Sequence, residues 1–110
     1  MNVYEFLKKM RRLINQGSKR FVMKRDGRYY YEILLEDFGI TDKKAWEHIK
    51  NLNEHFLWND EMPSYSNSDA FVFKKQIDGK MAYIKVKIEE GKNGEEVVCI
   101  SFHLDYWANN

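Results

Sequence analysis

Cysteine, proline and uninterrupted apolar sequence are what this chain has least of. Its one cysteine, Cys99, excludes an internal disulfide and is compatible with a reducing cytoplasm. Its one proline, Pro63, falls in a polar stretch from Asn59 to Asp69 that reads as an exposed loop. No apolar run approaches the roughly 20 residues a membrane helix needs. Between Met1 and Ile14 the apolar residues are interleaved with Lys8, Lys9, Arg11 and Arg12, so no secretory leader is expected there. A soluble cytoplasmic protein with no membrane association is the expectation. Chemical signatures are missing as well: there is no glycine-rich phosphate loop, no serine elbow and no Cys/His set at zinc spacing. Neither metal nor cofactor is expected, and His48 and His55 read as surface histidines. With no repeat, low-complexity tract or linker, residues 1–110 form a single domain, long enough to bury roughly 60–70% of its unfolded surface.

Charge is present, but unevenly. The formal net charge is +1. Residues 1–30 carry nine Lys and Arg against Glu5 and Asp26, a net of +7, which leaves −6 for the rest. All five arginines precede Tyr29. Arginine suits bidentate contact with phosphate or carboxylate, so Arg11, Arg12, Arg20 and Arg25 are candidates for binding nucleic acid or an acidic partner. A solvated cationic face that only maintains solubility has the same pattern.

Hydrophobic spacing orders the elements. Val3, Phe6, Leu7, Met10, Leu13 and Ile14 predict a helix over about 3–15, capped near Gly17. Arg20 to Met23 reads as a short extended segment followed by a turn at Asp26-Gly27. Tyr29 to Tyr31 could extend a strand, Glu32 to Phe38 reads as a helix stopping at Gly39, and Thr41 opens another helix with Ala45, Trp46, Ile49 and Leu52 inward. Phe71 to Lys75 is a strand, with Phe71 and Phe73 inward, that turns at Asp78-Gly79 into the most informative stretch of the chain.

That stretch, Gly79 to Trp107, reads as a hairpin. In Met81 to Ile88, strict alternation sends Ala82, Ile84, Val86 and Ile88 to one face and Met81, Tyr83, Lys85 and Lys87 to the other. In Glu96 to His103 the same rule puts Val98, Ile100 and Phe102 inward and Val97, Cys99, Ser101 and His103 outward, with Glu89 to Glu95 as the turn. Tyr83, Lys85, Lys87, Ser101 and His103 then share one polar face, with Lys74 from the preceding strand. Cleaving RNA without a metal needs a base for the 2′-hydroxyl, an acid for the departing 5′-oxygen and cations on the phosphate. His103 suits the proton transfers, Lys85 and Lys74 the phosphate, and Tyr83 orientation or proton donation, while Lys87 joins the arginines as a candidate for binding nucleic acid. Such residues also fill the wet face of many antiparallel sheets.

The run Ile77-Asp78-Gly79-Lys80, then Ala82-Tyr83-Ile84-Lys85-Val86 and Val98-Cys99-Ile100-Ser101-Phe102-His103, resembles the C-terminal half of the MqsR-type toxins of bacterial toxin-antitoxin systems. Leu13-Ile14 before a glycine, Phe21-Val22, and Phe38-Gly39-Ile40-Thr41 before the Ile49-Leu52 helix extend the resemblance over nearly the whole chain. It implies an α+β fold of the RelE-like kind, N-terminal helices packed on a small twisted antiparallel sheet. It also implies metal-independent cleavage of single-stranded mRNA, restrained by a cognate antitoxin. Tyr83 matches the family's active-site tyrosine. His103 stands where a catalytic lysine or histidine follows a Ser-Phe motif. Asp60 replaces an expected lysine, and the Asp69-Ala70 segment lacks an expected glutamine. Trp58, Tyr65 and Phe71 are candidates for stacking an unpaired base or for the core. The alternative is a non-catalytic interaction module on the same scaffold, such as a phage- or mobile-element-encoded inhibitor that uses the basic N-terminal third against an acidic protein.

Overall fold

The described α-helices begin and end where short-range hydrogen bonding allows it. The computed structural model describes residues 2–58 and 70–106. Helix α1 (Val3–Asn15) starts at Asn2, whose side-chain oxygen accepts the Glu5 N–H at 2.9 Å, relieving one of the unpaired donors of a helix start. It closes through Gly17, at φ 81°. Ser18 N–H donates to the Leu13 carbonyl at 2.9 Å and Gly17 N–H to the Ile14 carbonyl at 3.0 Å, a Schellman closure that needs a left-handed residue at that point. The helix covers the expected span, and Phe6, Leu7, Met10, Leu13 and Ile14 form its buried face.

Strand β1 (Lys19–Phe21) follows, then a small hairpin of β2 (Lys24–Arg25) and β3 (Arg28–Tyr29). Asp26 and Gly27, at φ 50° and 81°, make its two-residue turn, since two positive φ values match the twist of the flanking strands. Tyr29 is extended, but Tyr30 and Tyr31 already belong to α2 (Tyr30–Phe38). Glu32 accepts the Tyr29 N–H at 3.0 Å and fixes that boundary. Helix α3 (Asp42–Lys50) is capped by Thr41, whose hydroxyl accepts the Lys44 N–H at 3.4 Å. The loop expected over 59–69, with Asp60, Glu61, Pro63 and Tyr65, lies outside the described residues.

The sheet is completed by β4 (Phe71–Ile77), β5 (Lys80–Gly91) and β6 (Gly94–Leu104), in the order β1-β6-β5-β4. The last three form the expected antiparallel meander, but the sheet is mixed rather than wholly antiparallel. β1 runs parallel to β6, pairing Lys19 with Val97 and Phe21 with Cys99. Such a pairing joins residues far apart in sequence and leaves no local trace. The β5–β6 strands also run through most of the predicted turn, pairing Glu89 with Glu96 and Gly91 with Gly94. Among the described residues the fold is α+β, three α-helices with a mixed four-stranded sheet and a separate two-stranded one.

One face of the large sheet is core. Phe73, Ala82, Ile84, Val86, Val97, Cys99 and Phe102 cluster with the apolar faces of α1, α2 and α3. Full burial of each larger side chain contributes about 1.5–3 kcal/mol. The expected inward set on β6 needs correction. A bulge leaves Ile100 without a partner, because Lys85 faces Ser101 and the next residue, Val86, faces Cys99. Alternation changes phase there, so Val97 and Cys99 are core, while Val98 turns to the opposite face beside Lys87 and Arg20. Among the described residues, no helix is long and apolar enough to cross a membrane.

Candidate functional site

The face opposite the core is defined by register. Lys74 pairs with Tyr83 and Tyr83 with His103, which sets these three side chains in one row across three strands. The next row is Val72, Lys85 and Ser101. The bulge lies just beyond it, so the phase change spares the grouping expected at this end. Tyr83 and His103 stack, ring centroids 5.1 Å apart and planes at 11°. Tyr106, exposed just past the end of β6, stacks on His103 at 5.9 Å and 19°.

The His103 ring is also held by a hydrogen bond. Its Nδ1 lies 2.7 Å from the Leu104 carbonyl oxygen. A carbonyl only accepts, so Nδ1 carries the proton and Nε2 is the basic nitrogen of the neutral ring. Beneath this point the backbone is tied to α2: Leu104 N–H donates to the buried Asp37 carboxylate at 3.0 Å, and Lys80 Nζ donates to the Asp37 carbonyl at 3.1 Å. Ring tautomer and strand position are both fixed.

The two lysines differ. Lys74 Nζ sits 2.9 Å from a carboxylate oxygen of Asp105, which is 3% exposed, and 4.0 Å from the Trp58 ring centroid. Its charge is matched by a buried partner and lies over an aromatic face. Lys85 is half-buried and has no ion pair among the described residues. It is therefore the cation with charge to spare beside the Tyr83–His103 pair. Ser101 is on the same face but buried, and its Oγ has no hydrogen-bond partner among the described residues. Cys99, expected on this face, is instead in the core. Burial pushes its thiol far above the usual range, and Sγ lies 3.4 Å from the Ser101 carbonyl.

The candidate binding residues separate. Arg20 and Lys87 are on the site's face, toward its far end, where carboxylates meet them. Arg20 Nε is 2.7 Å from Glu96 and its Nη2 3.3 Å from Glu89, and the Glu96 hydrogen bond foremost raises the pKa of the guanidinium. Lys87 Nζ is 3.5 Å from Glu89. Arg11 and Arg12 belong to the helical layer on the other side of the sheet. Arg11 Nε donates to the Lys50 carbonyl at 3.2 Å and its Nη2 to the Leu52 carbonyl. Arg12 is exposed, without an ion pair among the described residues. Arg25, exposed on β2, lines with Ser101 and His103 a narrow cleft of about 20 Å³ between α2 and β6. Phe71 packs on Phe6 at 4.5 Å, Trp58 stands beside the site at Lys74, and Tyr65 lies outside the described residues.

Sequence reasoning missed Asp105, Tyr106 and Asp37. The first had a signal, since Asp105 continues the alternation of Ser101 and His103. Asp37 had none, because its partner is 67 positions away. Among the described residues no group of His, Cys, Asp and Glu could hold a metal ion. Comparison with protein-family models, curated proteins and solved structures finds no match for this chain.

Proposed function

We propose that the protein is a metal-independent endoribonuclease acting on single-stranded mRNA, a toxin of the MqsR type on a RelE-like scaffold, neutralised by a cognate antitoxin. The observation that carries this reading is the Tyr83–His103 pair beside Lys85. A ring with a fixed tautomer presents a basic Nε2, a phenol lies against it, and a cation with no ion pair among the described residues occupies the next row.

In the proposed reaction His103 Nε2 takes the proton of a ribose 2′-hydroxyl as that oxygen attacks the adjacent phosphorus. The bond to the 5′-oxygen of the next nucleotide breaks, and the Tyr83 hydroxyl supplies the proton that oxygen needs. Lys85 stabilises the charge that builds on the non-bridging oxygens. Lys74, bound to Asp105, contributes position more than net charge. The products are a 2′,3′-cyclic phosphate and a 5′-hydroxyl end, with atoms and protons balanced.

The test is incubation of mixed-sequence single-stranded RNA in excess EDTA. Discrete fragments with 2′,3′-cyclic ends are expected from the wild type, and His103→Ala should lower the rate by about 10²–10⁴-fold with the fold unchanged. Intact RNA with folded wild-type protein rejects the reading. It would favour a non-catalytic module that binds an acidic protein, which the exposed Tyr31 and Leu35 of α2, beside Arg25 and Lys24, support.

A further inference from the structure

Aromatic side chains left in water are costly unless something covers them in use. On the β2–β3 hairpin and the first turn of α2, Tyr29 and Tyr31 are 38% and 50% exposed. They stack on one another with centroids 5.4 Å apart and planes at 7°. Tyr30, between them, is anchored inward. Its ring stacks on Phe21 at 4.5 Å, its hydroxyl donates to Asp42 at 3.2 Å and its N–H donates to the Met23 carbonyl at 3.0 Å. That anchor holds the flanking rings outward in a fixed pose, so little side-chain freedom is left to lose on binding.

Two of the cations beside them have no carboxylate partner among the described residues. Lys24 Nζ lies 5.3 Å from the Tyr29 ring centroid, and neither Lys24 nor Arg25 has an ion pair among the described residues. Arg28, by contrast, is 2.6 Å from Glu36. Arg25 also lines, with Ser101 and His103, the narrow cleft between α2 and β6, which places the hairpin near the proposed reaction centre.

We propose that the β2–β3 hairpin is the platform on which single-stranded RNA enters the site. One base stacks on Tyr31, Lys24 and Arg25 meet the flanking phosphates, and the strand continues along β6 toward His103. Rigid aromatic faces beside unmatched cations fit the base-and-phosphate repeat of an unpaired strand. The assignment rests on the ribonuclease reading of His103 and names where its substrate is held.

The experiment is fluorescence anisotropy with a labelled, fully 2′-O-methylated single strand of about twelve nucleotides, which cannot be cut by the proposed reaction, over a range of salt. Tyr31→Ala should bind at least about fivefold more weakly, and Arg25→Gln should lower the salt slope by about 0.7. Leu35→Ser should bind as the wild type does. Wild-type affinity and salt slope in both Tyr31→Ala and Arg25→Gln would overturn the platform, as would an equal loss in Leu35→Ser, which marks a surface for a protein partner. Failure of the wild type to bind overturns it too. The ribonuclease reading is judged separately, by cleavage of unmodified RNA.

Discussion

Lys74 and Lys85 stand two residues apart across one strand pair and make opposite predictions. Removing the Lys74 ammonium takes one ion pair from Asp105, which is 3% exposed. A buried carboxylate stripped of a charged partner costs more than a surface pair returns. Lys74→Ala should therefore lower stability by about 1–3 kcal/mol, read as an earlier midpoint in urea. Lys85→Ala removes a charge that no described residue uses, so its midpoint should hold while RNA cleavage falls. Equal effects of both substitutions on both measurements would mean that the two lysines share one role.

At the scale of elements, the basic face of α1 divides between support and solvent. Of the carbonyls that receive Arg11, that of Lys50 ends α3, where the last carbonyls lack helical partners, and that of Leu52 lies just past its cap. A guanidinium there ties α1 to α3 and sits where a helix favours positive charge. Arg11→Ala should destabilise the protein by about 1–2 kcal/mol and leave RNA affinity unchanged, whereas Arg12→Ala should change stability by less than about 0.5 kcal/mol. Thermal melts of the two variants side by side decide the matter, and an unaltered Arg11→Ala would show that the α1–α3 contact is incidental.

For the molecule as a whole, His48 in α3 predicts how stability changes in acid. Burial foremost, then the Lys75 and Lys44 ammonium groups, hold the His48 imidazole below its usual pKa, against the smaller pull of Asp78 and Glu47. A histidine depressed in the fold is neutral there while its unfolded counterpart, near about 6.5, already binds a proton. The unfolded state binds more protons in that window, so stability is lost as pH falls from about 6.5 toward the folded-state value. His48→Gln should flatten this slope in urea midpoints measured between about pH 7.5 and 5.5. A slope identical to that of the wild type would assign the acid sensitivity to the carboxylates.

The chain's own periodicity determined α1, the cap at Thr41, the turns at Asp26-Gly27 and Asp78-Gly79, and the gathering of Tyr83, Lys85 and His103 on one face of the β5–β6 pair. Each depends on neighbours a few positions apart, where side-chain direction and allowed φ act directly. Tertiary structure alone decided that β1 pairs parallel with β6, that Ile100 bulges and sends Cys99 and Val97 into the core, that Lys74 is held by Asp105 and that Arg11 is spent on α3. Those outcomes turn on contacts between distant residues and on a strand accepting one irregular position so that apolar groups on both sides of it are buried. Local pattern carries no record of such choices, because the competing registers share the same sequence.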